Sequence, residues 1–232
     1  MIFFHIFVPT TSHNAMKYLS FFILLFIGEL SVSAQHMFSR QFPFFNQLSS
    51  NEIFSIHQDR EGYFWIGTTN GLARYDGYQL NTFRTDYKNQ NLLTDNGITA
   101  INDNDLYVWI GTWKGLNLYN KQTCRITPFS DARLLDKVVD AITVDKDGNV
   151  WVSAGGMIYR CDSTAHIIKE YEVGNIQEGY AISNIYADQQ KQLWAVGSRG
   201  IFRYEPETDS FFRYPPLGNG HTASVSYTHL RA

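Results

Sequence analysis

The chain has 232 residues, of which 44% are apolar, 16% aromatic and only 18% charged, with a formal net charge of −3. That length holds one sizeable domain or two small ones, and so aromatic a composition excludes a disordered chain. The weakly acidic balance leaves no electrostatic footprint for nucleic acid or an anionic membrane surface, so neither partner is expected of this segment.

In chain order the first segment is unlike the rest. Met16-Lys17 makes a short basic start, residues 18–27 (YLSFFILLFI) form an apolar run, and residues 28–34 (GELSVSA) end in small residues. The run is too short for a comfortable membrane span, and the order is that of a secretory signal. A signal peptide is therefore predicted over residues 1–34, with cleavage after Ala34. Residues 1–15 fit poorly before such a signal, which makes Met16 the expected true start. An uncleaved anchor helix is the alternative. Residues 35–51 read as a lead-in segment.

Residues 64–77 (FWIGTTNGLARYDG) then introduce a pattern that the chain repeats. WIGTWKGLNLY begins at Trp109, WVSAGGMIYR at Trp151 and WAVGSRGIFRY at Trp194, so successive tryptophans stand 44, 42 and 43 residues apart. Similar runs precede each: IFSIHQD at Ile53, ITAINDND at Ile98, VVDAITVDKDG at Val138 and AISNIYADQQ at Ala181. A period of this length built from strand-sized pieces outranks any single motif.

Each unit divides into four strand-like segments, a to d. In the first, a is 53–58, b is 63–68, c is 72–75 and d is roughly 79–84. The a–b turn Asp59-Arg60-Glu61-Gly62 is echoed by Asp145-Lys146-Asp147-Gly148, each closing on a glycine that can take positive φ. The b–c turn carries Gly71, Gly115, Gly156 and Gly200, at a constant distance from the tryptophan except in the third unit, which reads one residue shorter. The runs are short, β-branched and aromatic, which rejects a helical solenoid. The prediction is all-β: four four-stranded antiparallel β-propeller blades of about 43 residues over residues 52–220, in an incomplete ring.

Stacked blades would cover strand b on both sides. Trp65, Trp109, Trp151 and Trp194 are therefore read as structural, each burying roughly 150–250 Å², with Gly67 and Gly111 letting blades approach closely. A fifth tryptophan, Trp113, lies in the b–c turn of the second unit, where the other units hold Thr69, Ala154 or Gly155, and Ser198. Beside it is Lys114, matched by Asn70 and Arg199. An aromatic face with amide and cationic donors suits a sugar ring or an acidic ligand. Trp113, Lys114, Asn70 and Arg199 are the candidate ligand contacts; the alternative is that Trp113 covers a neighbouring blade or loop.

Other constellations are weaker. Asp145, Asp147 and Asn149 mimic half a calcium loop but sit at an a–b turn, so a plain hairpin is expected, as for Asp103 and Asp105. His57, inside strand a, reads as a satisfied packing histidine. Cys124 and Cys161 could pair after export, yet they occupy different positions of the repeat, which leaves two free thiols as the expectation. No HExxH, GxSxG or Walker sequence occurs. No catalytic residue, metal or cofactor is expected in this segment. Four repeats fall short of a ring of about six to eight blades, and residues 226–232 (SYTHLRA) do not continue the pattern. Residues 221–232 are expected to be an aberrant or truncated tail on an N-terminal fragment.

Residues 48–51 (LSSN), followed by IFSIHQDREGYFWIGTTNGLARYDGYQLNTF, resemble the opening of the periplasmic sensor of hybrid two-component regulators. The repeats resemble that family's two-component regulator propeller units over residues 42–214, closely in the first unit and mainly by period in the third and fourth. The resemblance implies two successive propellers, a β-sandwich and a membrane helix outside this segment. It further implies a cytoplasmic histidine kinase with a receiver, a homodimer, and detection of glycan-derived oligosaccharides. A secreted propeller binding module without a kinase shares every feature seen here, and a propeller enzyme would need acidic or His/Tyr pairs on the channel rim.

Overall fold

The repeated segments become sixteen strands in four antiparallel sheets among the described residues. A computed structural model describes residues 44–85, 92–173, 182–198 and 200–214. The expected signal peptide, most of the lead-in and the 221–232 tail lie outside them. Blade 1 comprises β1 (Ile53–Gln58), β2 (Phe64–Thr68), β3 (Gly71–Tyr75) and β4 (Leu80–Phe83); blade 2 comprises β5 (Ile98–Asp103), β6 (Tyr107–Thr112), β7 (Gly115–Asn120) and β8 (Arg125–Pro128). Blade 3 comprises β9 (Val139–Val144), β10 (Val150–Ala154), β11 (Met157–Cys161) and β12 (Ile167–Glu172); blade 4 comprises β13 (Ile182–Ala187), β14 (Leu193–Gly197), β15 (Gly200–Glu205) and β16 (Ser210–Arg213). The first strands neighbour one another in the order β1, β5, β9, β13, so the four blades form an arc of a propeller around one channel. No described helix is long and apolar enough to cross a membrane.

The core lies between blades, and the WIGT segment explains why. In a strand, alternate residues share a face, so the tryptophan and the residue two places on both meet the following blade. Trp65 packs with Ile98, Val108 and Ile110 of blade 2, Trp109 with Val139, Val150 and Val152 of blade 3, and Trp151 with Ile182, Leu193 and Ala195 of blade 4. All three are at most 1% exposed. Trp194 has no following blade among the described residues and is only partly buried, meeting Tyr214 edge-on at 5.4 Å between centroids. Two residues after the tryptophan, a Cβ on Gly67 would meet Ile98 Cγ2 at 2.7 Å and one on Gly111 would meet Val139 Cγ1 at 2.6 Å. Blade 3 fits Ser153 there, whose Oγ donates to Ile182 O at 3.1 Å. The threonine of WIGT caps the b–c turn: Thr68 and Thr112 Oγ1 each donate to the carbonyl three residues on at 2.8 Å.

Each innermost strand also carries a β-bulge at its second residue: Phe54, Thr99, Asp140 and Ser183 are skipped in the pairing with the neighbouring strand. The extra residue shifts the alternation by one. That is why the apolar pair on one face stands three apart, as Ile98 and Ile101, Val139 and Ile142, or Ile182 and Ile185, all at most 7% exposed. In blade 1 the same positions, Ile53 and Ile56, are 39% and 59% exposed because no described blade precedes it.

The a–b turns are tied to the tryptophans by a second device. Asp59 Oδ1 accepts from the turn amides of Glu61 and Tyr63, while Oδ2 accepts from Trp65 Nε1 at 2.7 Å. Asp145 and Asp188 do the same for Trp151 at 2.8 Å and Trp194 at 3.0 Å. Blade 2 has Asn104 in this place. Its Oδ1 takes the amides of Leu106 and Tyr107, and its other end is an NH₂ that donates to Ser163 O. An NH₂ group donates and cannot accept from an indole N–H, so Trp109 Nε1 is buried without a partner among the described residues. Asp145 is thus a turn cap whose oxygens also receive Asp147 N, Asn149 N and Asn149 Nδ2. Both cysteines are free, Cys124 exposed and Cys161 buried, and burial pushes the Cys161 thiol up to about 12.

Candidate functional site

The channel opens at two rims, one carrying the b–c turns and the starts of the innermost strands, the other the a–b turns. On the first rim, the backbone N–H of Thr69 bonds to Glu52 O, that of Trp113 to Gly97 O and that of Gly155 to Val138 O. These equivalent bonds align Trp113 with Thr69 and Gly155, removing the ambiguity left by the sequence. They also correct the reading of the third unit. Its turn is not shorter: Ala154 pairs with Met157 just as Thr112 pairs with Gly115 and Thr68 with Gly71. Gly156 therefore sits inside the turn with Gly155, at φ 82° and 57°, and Met157 takes the place that Gly71, Gly115 and Gly200 hold in the other blades. Two successive positive φ values make a tight hairpin that favours glycine, asparagine or aspartate first and glycine second.

The candidate contacts are placed as follows. Trp113 is 44% exposed, its ring seated over Gly97, where a Cβ would collide with it. It meets Phe54 of blade 1 edge-on at 6.2 Å between centroids, and Phe54 is itself 56% exposed. Trp113 thus covers a neighbouring loop with one face and leaves the rest of its surface open. Lys114 Nζ is 3.8 Å from Asp95 Oδ2, with the lysine side chain 65% exposed. Asn70 Nδ2 donates to Ser49 O at 3.3 Å, holding the lead-in segment. Arg199 lies outside the described residues. The rim therefore offers an aromatic pair and one exposed ammonium group.

The sequence reading missed the bulge residues beside this pair. Thr99 Oγ1 donates across to Val139 O of the next blade at 2.5 Å, and Ser183 Oγ donates to Val196 O at 3.2 Å. Asp140, at the same position in blade 3, is half-buried and has no partner among the described residues; burial alone pushes its carboxyl up to about 6.

Toward the a–b rim lies a cavity of about 690 Å³, lined by Arg60, Asn102, Asp103, Thr143, Tyr186 and Lys191 among others. Asp103 was expected to be a plain turn residue; it is instead an ion-pair hub. Its Oδ1 is 2.7 Å from His57 Nε2, and its Oδ2 accepts from Lys121 Nζ at 2.7 Å and from Arg60 N at 3.3 Å. Asp103 and Lys121 are each 5% exposed. Burial pushes the Asp103 carboxyl up, but the hydrogen bonds from His57 and Lys121 and the lysine charge outweigh it and hold the group at about 2. Arg60 is further paired with Asp105. The hub clips blade 1 to blade 2, and His57 is the satisfied packing residue its place in strand a implied. Among the described residues, no three His, Cys, Asp or Glu side chains gather in a metal-holding group.

Residues 47–70 match the family described as two component regulator propeller. No curated protein matches the chain. Among solved structures, the extracellular domain of BT4673 from B. thetaiotaomicron, described as a one component system, is similar with a TM-score of 0.56 and 22% identity, over 70% of this chain and 22% of that one. The extracellular domain of BT3049 from the same organism, described as a hybrid two component system, has a TM-score of 0.52 and 21% identity, over 75% and 31% of the two chains. Virginiamycin B lyase from Staphylococcus aureus is similar with a TM-score of 0.56 and 19% identity, over 71% and 56%. At these identities the likeness establishes the propeller fold. The chain spans less than a third of the two extracellular domains it resembles. The matched residues cover β1 and β2 of the first repeat, the part of the chain in which the sequence resemblance was closest.

Proposed function

We propose that this propeller segment is the extracytoplasmic ligand-sensing part of a hybrid histidine kinase and response regulator that detects glycan-derived oligosaccharides and controls transcription by phosphorelay. The observation that carries the reading is the regulator-propeller match at residues 47–70, set in a fold shared with the extracellular domain of a hybrid two component system. On this reading the protein is exported, anchored in the inner membrane by a helix downstream, and dimeric. Ligand binding favours one arrangement of the dimer, and that bias is passed across the membrane as a population shift. The segment performs no chemistry itself. A secreted binding propeller is the other reading, and likeness to a lyase at the level of fold does not carry an activity.

The gene decides between them. Following the open reading frame downstream is expected to reveal further repeats, one membrane helix and a kinase; a frame ending after a few blades with no membrane segment would overturn the signalling role. On this reading the ligand contacts are Trp113 and Lys114, with Asn70 and Arg199 as the further candidates. Trp113→Ala in the complete ectodomain should abolish oligosaccharide binding, measured by titration calorimetry, while the melting temperature changes little. Comparable loss of stability and binding would make Trp113 a packing residue only.

A further inference from the structure

The bulge at the second residue of every innermost strand is repeated in all four blades, so it is built into the fold and not a local irregularity. Bulges re-aim side chains and concentrate beside binding sites. Here they set Phe54, Thr99, Asp140 and Ser183 at one level, at the start of the innermost strands. Thr99 and Ser183 spend their hydroxyls on backbone carbonyls. Phe54 joins Trp113 as an open aromatic pair. Asp140 alone holds a half-buried polar group with no partner among the described residues. A carboxylate so placed destabilises the fold unless something donates to it. The repeat itself shows what a purely structural choice looks like: threonine, whose hydroxyl reaches the next blade.

We propose that these bulge residues form the mouth of the ligand site, with Phe54 and Trp113 as an apolar platform and Asp140 as acceptor for the hydroxyls of a saccharide lacking acidic groups. This deepens the sensing role proposed above and rests on it. Sugar rings present C–H faces that pack on aromatic side chains, and vicinal hydroxyls supply paired O–H donors to one carboxylate. A uronate or sulfate would bring like charge against a group that is already poorly solvated. The sequence reading allowed a sugar or an acidic ligand at this rim; with the Lys114 ammonium group facing Asp95 at 3.8 Å, Asp140 tips the choice to the neutral sugar.

The test pairs binding with stability in the complete ectodomain. On an array of neutral, N-acetylated, uronic and sulfated oligosaccharides, the wild type should bind members without acidic groups. Asp140→Asn and Asp140→Thr should each weaken that binding at least ~10-fold, as expected for loss of a charge-assisted hydrogen bond. Asp140→Thr should also raise the melting temperature by ~2–6 °C, because it removes a half-buried carboxylate that has no donor among the described residues. Binding of acidic members alone, or neutral binding that ignores Asp140, overturns the site while the sensing role stands. A fall in melting temperature for Asp140→Thr makes Asp140 a packing residue and overturns the site without reference to any ligand. No array binding at all removes the saccharide reading and this site with it.

Discussion

Trp65→Ala and Trp151→Ala are each expected to cost about 3–5 kcal/mol of unfolding free energy, whereas Trp194→Ala costs about 1–2 kcal/mol despite removing the same side chain from the same repeat position. The difference follows from which blade each ring meets. Trp151 is 1% exposed against Tyr171, Tyr204 and Phe211, and its indole N–H is taken by Asp145. Removing it opens a cavity between two sheets and leaves one Asp145 oxygen with less to accept. Trp194 faces outward from the last described blade and has less burial to lose. Trp109 adds a finer distinction. Its N–H is already unsatisfied, so Trp109→Phe removes a penalty along with packing and should be milder than Trp65→Phe by about 1–2 kcal/mol. Urea unfolding with a constant slope would measure the series. Equal losses at Trp65, Trp151 and Trp194 would refute packing by the following blade.

FWIGT was legible because Trp65, Gly67 and Thr68 each answer a separate physical demand, and the tryptophan recurs at a nearly fixed spacing. The aspartate six residues before Trp65, Trp151 and Trp194 was equally visible in the sequence and was read only as turn chemistry. Its link to the indole depends on how the hairpin folds back, which spacing alone does not reveal. The apolar pairs three apart in each innermost strand, Ile53/Ile56, Ile98/Ile101, Val139/Ile142 and Ile182/Ile185, contradict a period of two, and that conflict was the available sign of a bulge. Gly156 misled because counting from the tryptophan assumed one turn type, while blade 3 uses a Gly155-Gly156 hairpin. The Asp103 hub could not be read at all: Lys121 and His57 reach it from another strand end and another blade, 18 and 46 residues away.

The largest electrostatic effect is expected at that hub. Asp103→Ala should cost about 3–5 kcal/mol, because Lys121 would keep a buried charge without its counter-ion. The pair is not therefore a large net source of stability. Asp103→Asn combined with Lys121→Met removes both charges and should recover most of the loss, with a coupling energy of about 1–3 kcal/mol. The pH dependence has a definite sign. Asp103 is held at about 2, below the ordinary value of ~3.9, so the native state binds fewer protons than the unfolded chain in between. Its stabilisation is complete above pH ~4–5 and is lost as pH falls toward 2. Asp209 is also held at about 2, its burial outweighed by Lys169, Tyr171 and Tyr204, so Asp103→Asn should flatten the acid limb without abolishing it. Asp140 runs the other way: raised to about 6, it is tolerated below pH ~4 and weakens the fold as pH rises through 6. Melting temperatures from pH 2 to 8 should therefore peak between the two limbs. Asp140→Asn should remove the fall on the neutral side. An acid limb unchanged in Asp103→Asn would mean that His57 and Lys121 do not hold the carboxylate in its charged form.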